Sequence, residues 1–325
     1  SIYGASEPQM NANNLRTKGY ELVLGWRDSF KLAGSTFSYG ITGTFSDYTA
    51  EYTKCDNPTG LIGDPYVGKK YGEIWGYKVD GLFRNDKEAA EYASRIDLST
   101  VASGYYTATG AYGQGGRGGD IKYLDLNGDN IVNGGKGTLD DPGDRRVIGN
   151  SSPRYQYGAS LNFSWYGFDV SVFMQGIGRL DWYPGADNLR FWGPYCRPYA
   201  TFVPKNFMSQ VWSEENPDAY FPRARAYTSL NSNSGTAYYT NDRYLQNLAY
   251  CRLKNLTIGY TIPRRLTSKV GIKECRIYFS GENLATWSAL KSDFLDPEQA
   301  AADSDKKANV YPWCKTYSIG LNLTF

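Results

Sequence analysis

The sequence predicts an all-β fold, a transmembrane antiparallel β-barrel with long extracellular loops. Apolar residues alternate with small or polar ones in several stretches, as in strands with one apolar and one polar face. Aromatic residues make up 16% of the chain although only 41% of its residues are hydrophobic. That combination suits barrel strands with aromatic girdles and polar loops. Very long polar stretches alternate with tight turns, which is the loop asymmetry of an outer-membrane barrel.

Seven segments show the alternation, and each has close to the roughly 9–11 residues that a tilted barrel strand needs. The predicted strands are residues 19–28, 36–48, 155–165, 168–177, 249–262, 274–282 and 316–325. The predicted extracellular loops are residues 49–153, 178–248 and 284–315. Bacterial single-chain barrels have an even number of strands, roughly eight or more. Seven is odd and too few, so residues 1–325 are predicted to be a portion of one larger barrel domain.

The last of these segments, Tyr317 to Phe325, has the clearest alternation. Every odd position is apolar and every even position is small or polar, so the two faces of the strand differ completely. Outer-membrane barrels typically end on such a strand, and its terminal Phe is what the assembly machinery recognises. Tyr317 and Phe325 are therefore the predicted barrel-assembly signal.

One segment departs from the pattern. In residues 249–262, Arg252 and Lys254 have the same parity as the apolar Leu256 and Ile258. Either the two cations lie at the edge of the membrane, or a β-bulge resets the register between them and the apolar residues.

The composition excludes several classes of function. The chain has no histidine, so imidazole catalysis and imidazole metal ligation are excluded, and we predict that the protein is not an enzyme. A formal net charge of +2 without a basic block gives no indication of nucleic-acid binding. The sequence has no run of about 18 apolar residues that could form a transmembrane helix. The five cysteines form no CxxC pair, so neither a zinc site nor a redox motif is predicted.

Eight stretches carry a more specific signal when they are taken together. They are LRTKGYELVLGWRD (15–28), GEIWGYKVDGLF (72–83), GDIKYLDLNGD (119–129), RRVIGNSSPRYQYG (145–158), YGFDVSVFMQG (166–176), YCRLKNLTIGYTIP (250–263), CRIYFSGENLATW (275–287) and YSIGLNLTF (317–325). In this order they resemble the C-terminal part of SusC-like (SusC/RagA family) TonB-dependent transporters of the Bacteroidetes outer membrane. The resemblance implies a barrel of about 22 strands around an internal plug. The N-terminal plug and the earlier strands would lie outside this chain.

The resemblance also implies a function and a set of partners. It implies TonB-dependent import of an oligosaccharide or oligopeptide across the outer membrane, together with a SusD-like surface lipoprotein that acts as a lid. The implied partners are this lipoprotein, the N-terminal remainder of the same barrel, TonB through the missing N-terminal region, outer-membrane lipid and the cargo. The implied location is the outer membrane of a Gram-negative envelope.

A short acidic motif predicts a bound Ca²⁺, and no other cofactor is required. The motif resembles the first nine positions of an EF-hand loop, with candidate ligands Asp125, Asn127, Asp129, Ile131 (through its carbonyl) and Asn133. Two departures weaken it, because Asn130 replaces the usual Gly and Lys136 replaces the final Glu. The alternative is a turn that is held by its own side-chain-to-backbone hydrogen bonds.

The second long loop is rich in aromatic residues. Exposed rings with an arginine nearby are what a sugar- or peptide-binding mouth needs, and the candidate substrate-binding residues are Trp182, Tyr183, Arg190, Trp192 and Tyr195. The alternative is that these rings pack the loop onto itself or against the lid.

Two further hypotheses compete with the transporter. One is a secreted, calcium-stabilised, β-rich carbohydrate-binding module without transport activity, which would bury its alternating faces and need no detergent. The other is a barrel segment with a purely structural role.

Overall fold

The computed structural model describes residues 12–106, 117–196, 205–225, 237–292, 295–302 and 313–325, together with residues 203, 230, 235 and 311. The chain divides into two compact units. The strand unit comprises Gly19–Tyr48, Pro153–Gly185 and Gln246–Phe325, and the loop unit comprises Ser1–Lys18, Thr49–Ser152 and Ala186–Leu245. Each unit is described by itself.

Seven long strands form one antiparallel sheet in which sequential strands are neighbours. The strands are β1 (Asn14–Leu32), β2 (Ser35–Lys54), β3 (Arg154–Trp165), β4 (Phe168–Arg179), β5 (Tyr250–Thr261), β6 (Glu274–Ser288) and β7 (Thr316–Thr324). β1, β2 and β6 extend several residues beyond the predicted segments. Their additional residues are mostly polar on both faces, so no alternation marks these parts of the strands.

The register separates the two faces of this sheet row by row. One row across β2–β7 is apolar and consists of Tyr39, Phe163, Val170, Ile258, Phe279 and Ile319. The next row is polar or glycine and consists of Gly40, Asn162, Ser171, Thr257, Ser280 and Ser318. Because adjacent residues of a strand point to opposite faces, the sheet has one apolar face and one polar face.

A β-bulge in β5 explains the anomalous parity of its two cations. The register shifts between Leu253 and Asn255 with respect to both neighbouring strands. Arg252 is consequently opposite Gln175 of β4 and Thr286 of β6, on the polar face. Of the two alternatives in the sequence, the bulge is confirmed.

The connections at the two ends of the sheet differ greatly in length. At one end, β1–β2 and β3–β4 are joined by the two-residue turns Ala33–Gly34 and Tyr166–Gly167. All four of these residues have positive φ angles between 48° and 84°, as type I′ hairpin turns require. At the same end β5 and β6 are joined by a short helix, α4 (Arg264–Thr267), and a 3₁₀ turn, Ser268–Val270. We call this side of the sheet the tight-turn end.

The described residues of the loop unit form short paired strands, short helices and irregular chain. Glu73–Gly76 pairs with Arg146–Asn150, Val79–Leu82 pairs with Ile121–Tyr123, and Val211–Trp212 pairs in parallel with Phe221–Arg223. The first two helices are α1 (Asp86–Ala93) and α2 (Ser99–Tyr106), and α2 is kinked at Ala102. Helix α1 begins where the Asn85 side chain accepts a hydrogen bond from the Glu88 N–H, at 2.9 Å, an ordinary N-cap.

Another short helix, α3 (Leu189–Trp192), lies in the second long connection. In the strand unit, Asp181–Trp182 pairs with Gln246–Asn247 just beyond the outer ends of β4 and β5. Among the residues described, no helix combines the length and the apolar character needed to cross a bilayer.

Candidate functional site

Two of the predicted substrate-binding residues, Trp182 and Tyr183, lie in the strand unit. Trp182 belongs to the short strand that pairs with Gln246–Asn247, and both side chains are buried. The expectation that these rings are exposed is therefore wrong.

The other three predicted residues lie on α3 and the turn after it, in the loop unit. The Asn188 side chain accepts a hydrogen bond from the Phe191 N–H at 3.0 Å and so begins this helix. Trp192 is 0% exposed and Tyr195 is 1% exposed, so these two rings are also not available as flat surfaces. Arg190 is exposed, and it remains a predicted substrate contact.

Trp192 and Tyr195 belong to an aromatic cluster that forms the core of the loop unit. The rings pack with centroid separations of about 5–6.5 Å, and the cluster includes Phe191, Trp192, Tyr195, Phe207, Phe221 and Tyr244. The Tyr195 hydroxyl donates to the Pro222 carbonyl at 2.5 Å. Burial raises the pKa of Tyr195 and of Tyr244 well above the usual value. Because this loop has few aliphatic residues, its aromatic residues supply the core.

The predicted calcium loop is ordered by hydrogen bonds within the loop. Asp125 accepts from the N–H groups of Gly128 (2.7 Å) and Asn130 (2.9 Å). Asn127 accepts from the Asp129 N–H, and Asp129 accepts from the Ile131 N–H. Such hydrogen bonds from backbone N–H groups to side chains are expected for the alternative to a calcium site, a turn that is stabilised by its own side chains.

The fully buried carboxylate of Asp144 closes the same loop. It accepts hydrogen bonds from the N–H groups of Leu126, Asn127 and Asn133 at 2.7–3.3 Å. Asn130 has φ 66°, the left-handed conformation that the usual glycine would adopt at this position. Among the described residues no three Cys, Asp or Glu side chains group to hold a metal. The predicted set contains only two carboxylates, so Ca²⁺ binding remains a prediction.

The polar face of the sheet carries an ion pair that the sequence did not reveal. Asp169 of β4 and Arg276 of β6 reach across β5, with Nε–Oδ1 at 2.9 Å and Nη2–Oδ2 at 2.5 Å. Gly259 of β5 lies beneath the pair, and a Cβ there would come within about 2.5 Å of both groups. The Arg276 guanidinium also stacks on Tyr278, 4.9 Å from the ring centroid. Only the strand register brings these residues together.

A groove crosses β1–β4 on this polar face and begins beside the same ion pair. Its polar lining includes Arg27, Asp28, Ser29, Ser38, Asn162, Ser164 and Asp169. The hydroxyl and amide groups are hydrogen-bond donors and acceptors, and the lining holds one cation and two carboxylates. The groove therefore offers polar hydrogen-bonding groups and has no excess of positive charge.

A second ion cluster fixes the third long connection to the polar face. Arg252 is 1% exposed, and its guanidinium donates to Asp296 at 2.7 Å, to Glu298 at 2.6 Å and to the Thr286 hydroxyl at 2.9 Å. Lys254, at the bulge, donates to Glu298 at 2.8 Å. The β5 bulge thus presents two cations to two carboxylates of the segment that follows β6.

The predicted barrel-assembly residues lie on β7 and directly after it. Tyr317 is exposed on the apolar face, with its ring centroid 6.2 Å from that of Phe279. Phe325 is also exposed, and its carbonyl accepts a hydrogen bond from Lys273 Nζ at 2.7 Å. Recognition by an assembly machinery remains a prediction.

Sequence relatives extend over nearly the whole chain. TonB-dependent receptor P3 of Formosa agariphila is 24% identical over 344 residues, which cover 99% of this chain and 30% of the receptor. TonB-dependent receptor P26 of the same organism is 28% identical over 329 residues, 98% of this chain and 28% of the receptor. The chain is thus similar to TonB-dependent receptors over nearly its whole length. No protein-family model matches it.

Comparison with solved structures shows that the chain shares its fold with part of a known transporter. The RagAB peptide transporter superposes with a TM-score of 0.62 at 18% identity, over 100% of this chain and 31% of that chain. The RagAB peptide importer in the open-open state superposes with a TM-score of 0.61 at 18% identity, over 100% of this chain and 30% of that chain. These similarities confirm the predicted resemblance to SusC-like transporters and the location in the outer membrane.

The chain spans less than a third of the length of the curated proteins that it matches. The proteins that it matches are receptors and transporters rather than enzymes. Its large antiparallel sheet corresponds to a portion of such a protein.

Proposed function

We propose that the protein containing this chain imports a nutrient, an oligosaccharide or oligopeptide, through the outer membrane in a TonB-dependent manner. The observation that supports this most strongly is sequence similarity to TonB-dependent receptors over 99% and 98% of the chain. In this proposal the seven strands are the C-terminal part of a closed barrel of about 22 strands. The N-terminal remainder of the same protein supplies the other strands, the plug and the contact with TonB.

The two faces of the sheet support this arrangement. A row of aromatic and branched apolar side chains suits contact with lipid, and the adjacent row of Ser, Thr and Asn suits a hydrated interior. The charges of Asp169 and Arg276 lie on the polar face, where water and cargo would compensate them. A SusD-like lipoprotein is the proposed partner at the outer side, where the long connections lie.

The cargo is tested by uptake in whole cells. Cells that express the protein are offered fluorescent oligopeptide and oligosaccharide mixtures, and a strain lacking this protein and a strain lacking TonB are the controls. We expect uptake of one mixture to be lost in both control strains. Uptake that persists in both would refute the transport proposal.

Membrane integration is tested separately, by fractionation of the cell envelope. We expect the protein to require detergent for extraction and to purify with a lipoprotein. Recovery as a soluble monomer that binds a glycan without detergent would instead support the secreted carbohydrate-binding module.

A further inference from the structure

The turn between β5 and β6 concentrates positive charge at the tight-turn end of the sheet. Residues 263–273 (PRRLTSKVGIK) contain four basic residues and no acidic one, although the formal net charge of the whole chain is only +2. The four basic residues are all exposed, and they are Arg264, Arg265, Lys269 and Lys273. Within the described ranges none of them forms an ion pair with a carboxylate. The side-chain charges of Arg264, Arg265 and Lys269 therefore face solvent without a carboxylate partner among the described residues.

The same turn exposes two large apolar side chains. Leu266 is 53% exposed and Val270 is 71% exposed. Both belong to the short α-helix and the 3₁₀ turn that also carry Arg264, Arg265 and Lys269. Thr267 is the buried residue of this segment. The turn thus presents exposed apolar side chains close in sequence to exposed cations.

Aromatic residues lie at this end of the sheet, as they do at a membrane–water interface. Tyr166 lies in the β3–β4 turn and is exposed, and Phe168 packs on Tyr260 with ring centroids 4.6 Å apart. Aromatic side chains with a polar tip are enriched where hydrocarbon meets water. In outer-membrane barrels the short turns are on the periplasmic side, where the inner leaflet supplies phospholipid headgroups.

We propose that the turn of residues 263–273 binds an anionic phospholipid of the inner leaflet. The guanidinium groups of Arg264 and Arg265 provide forked donors for phosphate oxygens, and Lys269 adds a third positive charge. Leu266 and Val270 contact the acyl chains. This inference depends on the proposed function only for the orientation of the sheet in the membrane.

The remaining cation of the turn has a different role. Lys273 Nζ donates to the Phe325 carbonyl at 2.7 Å, and the Lys273 N–H donates to the Thr324 carbonyl at 2.8 Å. Lys273 therefore connects the turn to the end of β7 through two hydrogen bonds. We therefore leave Lys273 unchanged in the test, so that a loss of lipid binding cannot come from a loosened turn.

The test measures lipid binding to the whole transporter, purified in detergent, by native mass spectrometry. Phosphatidylglycerol and phosphatidylcholine with the same acyl chains are titrated separately. We expect phosphatidylglycerol to bind at least about tenfold more tightly, since each cation near a membrane surface contributes to the attraction of anionic lipid. In the variant Arg264→Gln/Arg265→Gln/Lys269→Gln this preference should fall to about twofold or less.

A matched control removes three exposed lysines from the long connections, Lys70→Gln/Lys87→Gln/Lys205→Gln. It changes the net charge equally and should retain the preference for phosphatidylglycerol. A second variant, Leu266→Asn/Val270→Asn, keeps every charge and should weaken the binding of both lipids. Equal affinity of the wild-type protein for the two lipids, or an equal loss of preference in the control, would overturn the proposal.

The outcome is independent of transport. A protein that is found in the outer membrane and prefers phosphatidylglycerol, but imports neither mixture, refutes the proposed import and leaves the lipid site intact. A protein that imports cargo and shows no lipid preference refutes only the lipid site.

Discussion

The ion cluster around Arg252 is expected to hold the segment after β6 against the polar face of the sheet. The substitution Arg252→Met keeps most of the side-chain volume but removes the charge. Asp296, which is 9% exposed as a side chain, would lose its partner, whereas Glu298 would retain Lys254. Removing one member of a buried ion pair costs roughly 3–5 kcal/mol. Because one of the two carboxylates stays compensated, we expect the lower end, about 3 kcal/mol.

Hydrogen–deuterium exchange can measure this loss locally. The N–H groups of residues 298–300 are bonded to Asp296 at 2.8–3.3 Å, so their exchange reports the release of the segment. At about 1.4 kcal/mol per factor of ten, exchange in a peptide covering residues 295–302 should become on the order of 100-fold faster. Peptides from β3 and β4 should be unchanged.

The matched control is Arg265→Met, which removes an exposed arginine without an ion pair. It should leave the exchange of residues 295–302 unaltered. If Arg252→Met changes this exchange by less than about threefold, the cluster does not hold the segment, and the reasoning from burial and charge fails.

Three further predictions concern separate parts of the molecule. Gly259→Ala should displace the ion pair above it and destabilise the protein by about 1–3 kcal/mol, seen as a lower melting temperature in detergent. The control Gly43→Ala, where a Cβ meets no atom within 4 Å, should leave the melting temperature unchanged. Trp192→Ala should destabilise the loop unit by about 3–5 kcal/mol, whereas Arg190→Ala should leave melting unchanged and reduce uptake if Arg190 contacts cargo. Finally, Ca²⁺ should raise the melting temperature of the wild-type protein but not of Asp125→Asn, and an absence of any effect of Ca²⁺ or a chelator would rule out a calcium site.

Some of this architecture could be predicted from the sequence because lipid and water impose opposite demands on the two faces of a strand. In β7 that demand gives an unbroken alternation from Tyr317 onward, and the row-by-row register shows the same separation across six strands. The outer parts of β1 and β2 are not subject to it, so their length could not be predicted. The sequence did not distinguish a bulge at Lys254 from a position of the two cations at the edge of the membrane.

The sites were less predictable than the strands, for two physical reasons. An aromatic ring suits a binding surface and a protein core equally well, so the sequence could not show that Trp192 and Tyr195 are buried. The ion pairs depend on register, since Asp169 and Arg276 are 107 residues apart and meet only because β4, β5 and β6 are aligned as they are. The alternation along a strand shows on which face of the sheet a residue lies, but it does not show which residue of another strand lies beside it.

The two longest stretches of the loop unit, Thr49–Ser152 and Ala186–Leu245, are separated in the chain by the β3–β4 hairpin. The Tyr77 N–H donates to the Thr240 carbonyl at 2.9 Å, although more than 160 residues lie between them. The entropic cost of closing a flexible loop grows with its length, and a formed hairpin shortens the effective distance between the two stretches. The core around Trp192 and Tyr244 would then be completed late, after the hairpin between the two stretches has formed. The fluorescence of a buried tryptophan in this core would therefore report a late step of folding, before any transport is measured.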